Sequence, residues 1–184
     1  MTTRLCRGAG LAAALLAAAC AGAAPPAPEQ LSNVRLGPEY SQWLIGPIVR
    51  MSTREEVQQY LTLTDDASAA AFTEAFWARR GELARHVFER RADEADHRFA
   101  EAGYAGRRTD RGTIYVLHGE PKETKFVPPD FVGEPPIEVW RYETSEPGLN
   151  GKPPSGIYSF AKYDDLTVFY KHRVRRTDEI DPIR

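Results

Sequence analysis

The chain has almost no cysteine, and the little it has lies at the N-terminus. Cys6 and Cys20 are the only two cysteines in 184 residues. Beyond residue 20 there is therefore no thiol to form a disulfide, to act as a nucleophile or to bind a metal. This excludes a disulfide scaffold, a cysteine-dependent enzyme and a paired-cysteine metal module for the folded part.

The sequence also lacks an apolar run long enough to cross a bilayer. Its longest apolar stretch, Gly8 to Ala19, has about a dozen residues, whereas a spanning helix needs about 20. Arg4 and Arg7 precede the stretch and small residues follow it, which is typical of a signal peptide. We expect residues 1–20 to direct export to the periplasmic side of the cell envelope.

Cys20 leaves two ways of processing the N-terminus open. The residues Leu16 to Cys20 resemble a lipobox, in which cleavage before the cysteine is followed by acylation, although Ala17 stands where leucine is usual. Ala21 to Ala23 form instead a good A-x-A site for ordinary cleavage. With acylation, Cys20 would anchor the protein in a membrane. By analogy with other lipoproteins, we expect this membrane to be the outer membrane.

The segment after Cys20 is rich in proline and alanine, so we expect residues 21–30 to be a tether. Such chain extends at about 3.1 Å per residue and could hold a domain roughly 30 Å from a membrane. Residues 31–184 remain, which is enough for a single domain.

The charge balance lacks the basic excess of a nucleic-acid-binding protein. Without Arg4 and Arg7, the 24 basic residues fall to 22 against 26 acidic ones, so the mature net charge is −4. We therefore expect no nucleic-acid partner. Asp93 and His97 stand one helical turn apart, but a charged helix face explains them better than a metal site.

The first half of the domain has the pattern of helices. Thr53 and Glu56 fit a capping box, as do Ser52 and Glu55, and they predict a helix over about 53–61. Thr64 or Asp65 can begin a second helix that stops at Gly81, and a third is predicted over about 82–102.

The second half has the composition of strands. Four β-branched and aromatic segments are candidates: Thr113 to His118, Ile137 to Tyr142, Ile157 to Tyr163 and Leu166 to His172. Asp164 and Asp165 would make a two-residue hairpin turn. The sequence therefore predicts an α+β fold, with N-terminal helices packed on a C-terminal antiparallel sheet of about four strands.

Two long connections interrupt the predicted sheet, over residues 122–136 and 143–155. The first contains the apolar residues Phe126 and Phe131, so it either folds back over the sheet or offers a surface to a partner. Trp140, on the next strand, is a further candidate for such a surface. The alternative is a place in the core, which is the more common one for such an aromatic residue.

The segment GRRTDRGTIYVLHGEP, residues 106–121, resembles the diagnostic motif of the bacterial GWxTD-domain family. Gly106, Thr109 and Asp110 match it, Arg111 and Gly112 follow, and Gly119 and Pro121 close it, while Arg107 stands in the tryptophan position. The resemblance covers about residues 50–171. It implies an exported or lipid-anchored protein and leaves its activity undefined.

The motif has a structural and an enzymatic interpretation. In the structural one, Thr109 and Asp110 organise a turn, Gly112 takes a positive φ, Arg111 pairs with a carboxylate of a helix, and Gly119 to Pro121 form a second turn. In the enzymatic one, Asp110, His118 and Glu120 would cooperate. A strand would hold Asp110 and His118 about 25 Å apart, which is too far.

These patterns favour a binding or scaffolding module of the cell envelope over an enzyme. We expect a membrane contact through the N-terminal anchor, an envelope protein as partner, no cofactor, no catalytic residue and no metal. The alternative is an envelope hydrolase or small-ligand binder that uses Arg111, His118 and Glu120.

Overall fold

The helices lie in the first part of the chain and the strands in the second. The computed structural model describes residues 28–171, so the predicted signal peptide, Cys20, most of the tether and His172 lie outside the described residues. The α-helices are α1 (Pro47–Met51), α2 (Arg54–Thr62), α3 (Asp66–Arg80), α4 (Glu82–Phe99) and α5 (Asp110–His118). The strands are β1 (Glu123–Val127), β2 (Ile137–Arg141), β3 (Ile157–Tyr163) and β4 (Leu166–Phe169).

The predicted helix starts are confirmed by their caps. Thr53 accepts a hydrogen bond from the Glu56 amide, and the Glu56 carboxylate accepts one from the Thr53 amide, which completes a capping box for α2. Asp65, rather than Thr64, caps α3 through the Ser68 amide. α3 ends before Gly81, whose φ of 86° is in the left-handed region that glycine tolerates. α4 ends at Phe99, three residues earlier than predicted.

The four strands form one antiparallel sheet in the order β1-β2-β3-β4, which confirms the α+β class. β3 and β4 are joined by the predicted hairpin turn, because Tyr163 pairs with Leu166 across Asp164 and Asp165. Asp164 has a φ of 51°, as a two-residue turn of this kind requires. β1 and β4 are the two edges of the sheet.

The strand predicted over Thr113 to His118 is wrong, because this segment is part of helix α5. Its residues from Gly112 to Leu117 are all buried, so no polar face marks a helical period. A short, fully apolar segment rich in β-branched residues gives the same pattern in a strand and in a buried helix. The packing of α5 on all sides overrides its strand propensity.

β1 was missed because it lies inside the loop predicted over residues 122–136. Four of its five residues are exposed and only Val127 is half-buried. An edge strand with so little buried surface has no apolar alternation to reveal it. The sheet therefore has the predicted number of strands, but one of the four is a different segment.

The helices cover one face of the sheet. An aromatic chain links α4 to the sheet through Phe99, Trp140 and Phe160, whose neighbouring ring centroids lie 5.5 and 5.1 Å apart. Trp43 packs against Phe76 with ring centroids 5.0 Å apart and closes the helical end of this core. One continuous hydrophobic cluster thus joins the helices and the sheet.

The loop between β1 and β2 folds back over the other face of the sheet. A second, smaller apolar cluster there contains Ile137, Ala161 and Tyr170. The Tyr170 hydroxyl donates a hydrogen bond of 2.8 Å to Glu134 of the loop. Of the two alternatives for this loop, folding back over the sheet or offering a surface to a partner, the structure therefore describes the first.

Candidate functional site

The motif of residues 106–121 is a turn, a helix and a second turn. A short 3-10 helix, Gly106–Arg108, leads to Thr109, which caps α5. Gly119, with a φ of 81°, ends the nine-residue helix α5. The motif therefore places a buried helix between α4 and the sheet.

Thr109 fixes the start of α5 with both functions of its hydroxyl group. The oxygen accepts a hydrogen bond of 3.1 Å from the Gly112 amide and donates one of 2.8 Å to the Gly106 carbonyl. Thr109 is only 4% exposed, so water cannot replace these bonds, and a buried unpaired donor would cost about 1–3 kcal/mol.

Gly106 and Gly112 are required because backbones meet where they stand. A Cβ atom on Gly112 would overlap the Gly106 carbonyl, and a Cβ atom on Gly106 would overlap the Ala95 carbonyl of α4. The prediction of a positive φ at Gly112 is wrong, since the residue is helical. Gly112 is required because there is no space for a side chain, and not because of its conformational freedom.

Asp110 connects the start of α5 to the edge strand of the sheet. Its carboxylate accepts a hydrogen bond of 2.7 Å from the Phe169 amide of β4. Burial raises the pKa of Asp110, while this bond and the charge of Arg50 oppose the rise. Asp110 of the motif thus accepts a hydrogen bond from a backbone N–H group of the edge strand β4.

Arg111 lies between two carboxylates beneath the sheet. Its guanidinium is 3.0 Å from Glu101, which follows α4, and 3.1 Å from Glu138 of β2. Thr167 of β4 donates to Glu101, and the Trp140 indole donates to Glu138. The predicted pairing of Arg111 with a carboxylate is confirmed, but neither partner is in a helix, since Glu101 follows α4 and Glu138 belongs to β2.

Arg107, in the position that the resemblance gives to tryptophan, binds α4. Its amide and its Nε both donate to the Asp96 carboxylate, at 2.7 and 2.8 Å, and its Nη2 lies 3.0 Å from Asp93. Asp93 and His97, the pair considered for a metal, are thereby part of a charged helix face. Among residues 28–171, no group of three His, Cys, Asp or Glu side chains could hold a metal ion.

The far end of α5 is held by Arg91 and by the loop before β3. Arg91 donates to the carbonyls of Val116 and Leu117, and the Leu149 amide donates to the Leu117 carbonyl. His118 packs against Tyr158, and burial, with the charge of Arg91, lowers its pKa. The His118 Nδ1 atom is buried without a hydrogen-bond partner in the described part of the chain.

A model of the GWxTD domain matches residues 38–181. The chain belongs to the GWxTD domain family. No curated protein and no solved structure matches it. The match spans most of the chain and includes the whole motif, both of its turns and all four strands of the sheet.

The GWxTD motif does not bring the proposed catalytic residues together. Asp110 and His118 are eight residues apart in a helix, about 12 Å rather than the 25 Å of a strand. Arg111 is engaged by Glu101 and Glu138, while Glu120 lies 2.5 Å from Arg98 on the surface. Arg111, His118 and Glu120 therefore do not form a common pocket.

The three candidate interaction residues have different environments. Phe126 is 70% exposed on β1, whereas Phe131 is half-buried in the loop. Trp140 is only 2% exposed, so its assignment to an interaction surface is wrong. It packs between Phe99 and Phe160 because its side of β2 faces the helices.

Two adjoining cavities lie between the segment before α1, the start of α5 and β4. They measure about 400 and 500 Å³ and share Ile45, Arg108, Asp110 and Val168. We call them together the β4 groove. Sequence patterns missed it, because its walls come from segments that are more than 50 residues apart in the chain.

Substitution of Gly112 by alanine tests the close approach of backbones in the motif. We expect Gly112→Ala to lower the free energy of unfolding by about 3 kcal/mol or more, because the methyl group meets a carbonyl that cannot move. Gly156→Ala is the matched control, since its nearest atom would be 3.9 Å away. Equal effects of the two substitutions in urea denaturation would contradict this account.

Substitution of Asp110 tests whether its carboxylate has a structural or a catalytic role. Asparagine keeps an acceptor for the Phe169 amide and removes a buried charge, so Asp110→Asn should be at least as stable as the parent at pH 7. Asp110→Ala should lose about 1–2 kcal/mol. Because folding raises the pKa of Asp110, its negative charge lowers the free energy of unfolding at pH values above the folded pKa. Below about pH 3.9, the ordinary pKa of aspartate, the carboxyl is protonated in both the folded and the unfolded state, so the advantage of asparagine should vanish. A loss of stability in Asp110→Asn as large as in Asp110→Ala would contradict the assignment.

Proposed function

We propose that the protein is a lipid-anchored binding module of the bacterial cell envelope. The observation that carries this proposal is the internal use of the motif, since Thr109, Asp110 and Arg111 all bind backbone or side chains of the domain itself. Such residues stabilise a scaffold, because their polar groups are engaged within the domain. The surface of the module is then the place to look for its activity.

The exposed edge of β1 supports a role in protein binding. Among residues 28–171, β1 pairs with β2 alone and lies at the edge of the sheet. An extended segment of a partner can add to such an edge through backbone hydrogen bonds. Glu123 and Lys125 add charges of both signs along this edge, which disfavour indiscriminate strand pairing and select a complementary partner.

Phe126 would provide the apolar anchor for this partner. It stands beside Glu138 and Phe160 in one cross-strand row on the helix-facing side of the sheet. Phe160 is fully buried, whereas Phe126 is 70% exposed, because the helices cover the row only as far as β2. A partner beside β1 would continue the covering layer over Phe126 and remove a large aromatic surface from water.

The membrane attachment is supported by the sequence of the N-terminus. The signal-peptide pattern and the lipobox-like residues before Cys20 favour export and acylation. No helix of the described part is long and apolar enough to span a membrane. We propose Cys20 as the acylated residue and the periplasmic side of the outer membrane as the location.

Crosslinking in cells tests the binding module and its surface. A photoreactive amino acid at Phe126 should give one discrete adduct with an envelope protein, whereas the same group at Leu83, which is 78% exposed on α4, should give none. Adducts of equal yield from both positions, or none from Phe126, would contradict the role of the β1 edge.

Mass spectrometry of the mature N-terminus accompanies this experiment and tests the anchor. The expected first residue is an acylated Cys20. Cleavage after Ala23 without an acyl mass would contradict the anchor and leave the crosslinking result valid.

A further inference from the structure

The β4 groove has an apolar interior. Its larger cavity, of about 500 Å³, is lined by Leu31, Ile45 and Val49 on one side and by Val168 and Phe169 of β4 on the other. This volume is within the range of pockets that bind small organic ligands. A ligand that fills it needs an apolar portion.

The same cavity is lined by three cationic residues that form no close ion pair in the described part of the chain, although the charge of Arg50 acts on Asp110. Arg50, Arg108 and Lys171 line it, and none of them has a carboxylate oxygen within 4.0 Å among the described residues. Arg108 donates to Gln42, and the Arg50 guanidinium is 6.0 Å from the centre of the Phe169 ring. By contrast, seven other arginines are held in ion pairs: Arg79, Arg80, Arg85, Arg98, Arg107, Arg111 and Arg141.

Asp110 is the only acidic residue among the described residues that line the groove. Its carboxylate is already engaged by the Phe169 amide. Three cations against one carboxylate leave the groove with an excess of positive charge. The groove therefore suits a ligand that has an anionic head and an apolar body.

The position of the groove relative to the predicted anchor identifies a source for such a ligand. Leu31, where the predicted tether meets the domain, lines the larger cavity, and so does Lys171. A tether of ten residues keeps this cavity within roughly 30 Å of a membrane that holds Cys20. β1 lies three strand spacings away, about 14 Å across the sheet.

We propose that the β4 groove binds the head group of an anionic phospholipid. Arg50, Arg108 and Lys171 would contact its phosphate, and Leu31, Ile45 and Val49 would contact its glycerol and upper acyl carbons. This assignment rests on the proposed membrane attachment. It turns the groove towards the bilayer and leaves the opposite edge of the sheet, β1, accessible to a protein.

Calorimetric titration with short-chain phosphatidylglycerol, below its micelle concentration, tests the proposal. The protein is the full chain carrying Cys20→Ala, so acylation does not contribute to binding. We expect saturable binding at one site. The triple variant Arg50→Gln, Arg108→Gln and Lys171→Gln should bind about 100-fold more weakly, given roughly a fivefold contribution from each basic residue near an anionic lipid.

A second triple variant, Arg54→Gln, Arg90→Gln and Lys162→Gln, is the matched control. It makes the same change in net charge at exposed residues that have no ion pair in the described structure. Its affinity should stay within about twofold of the parent. If the groove variant unfolds, the single substitution Lys171→Gln, at an exposed side chain, should still weaken binding about fivefold.

Several results would overturn the proposal: no saturable binding, an equal loss in both triple variants, equal affinity for short-chain phosphatidylcholine, or full competition by inorganic phosphate at matched concentration. The last result would indicate a site for a small free anion. Since the titration uses neither the acyl anchor nor a protein partner, its failure would leave the crosslinking and the N-terminal mass as independent tests of the proposed function.

Discussion

The close approach of three backbone segments at Gly106 and Gly112 is the constraint on which the rest of the structure depends. The two glycines let the 3-10 turn contact both α4 and α5, so that neither position has space for a side chain. α5 then enters the interior, where Ile114, Val116 and Leu117 are at most 3% exposed. Burial of each such side chain contributes about 2 kcal/mol, and the layer of helices closes over the sheet.

The polar residues of the motif join this helix to the sheet. Asp110 holds the backbone of β4, while Arg111 joins the end of α4 to β2 through Glu101 and Glu138. The bonds lie within or beside the core, so each costs more to break than a bond on the surface. The family motif thus describes a helix start that two strands help to hold.

Local signals predicted α2, α3 and α4 well, but they missed the short α1 and predicted the centre of the domain poorly. Thr53, Asp65 and Gly81 act through neighbours within a few residues, so their roles can be inferred from the sequence alone. α5 could not be recognised because its burial on all sides removes the helical period, and β1 because its exposure removes the alternation. The convergence of Arg50, Arg108 and Lys171 depends on the tertiary fold and leaves no local pattern in the sequence.

Two edges of the sheet then divide the proposed roles, with the groove beside β4 and the exposed strand β1 on opposite sides. Both depend on α5 as the rigid centre. Native-state hydrogen exchange tests this most directly. The amides of Val116 and Leu117 should exchange only through global unfolding, with the free energy found by denaturation. Exchange of these amides through a local opening of much lower free energy would contradict the central place of α5.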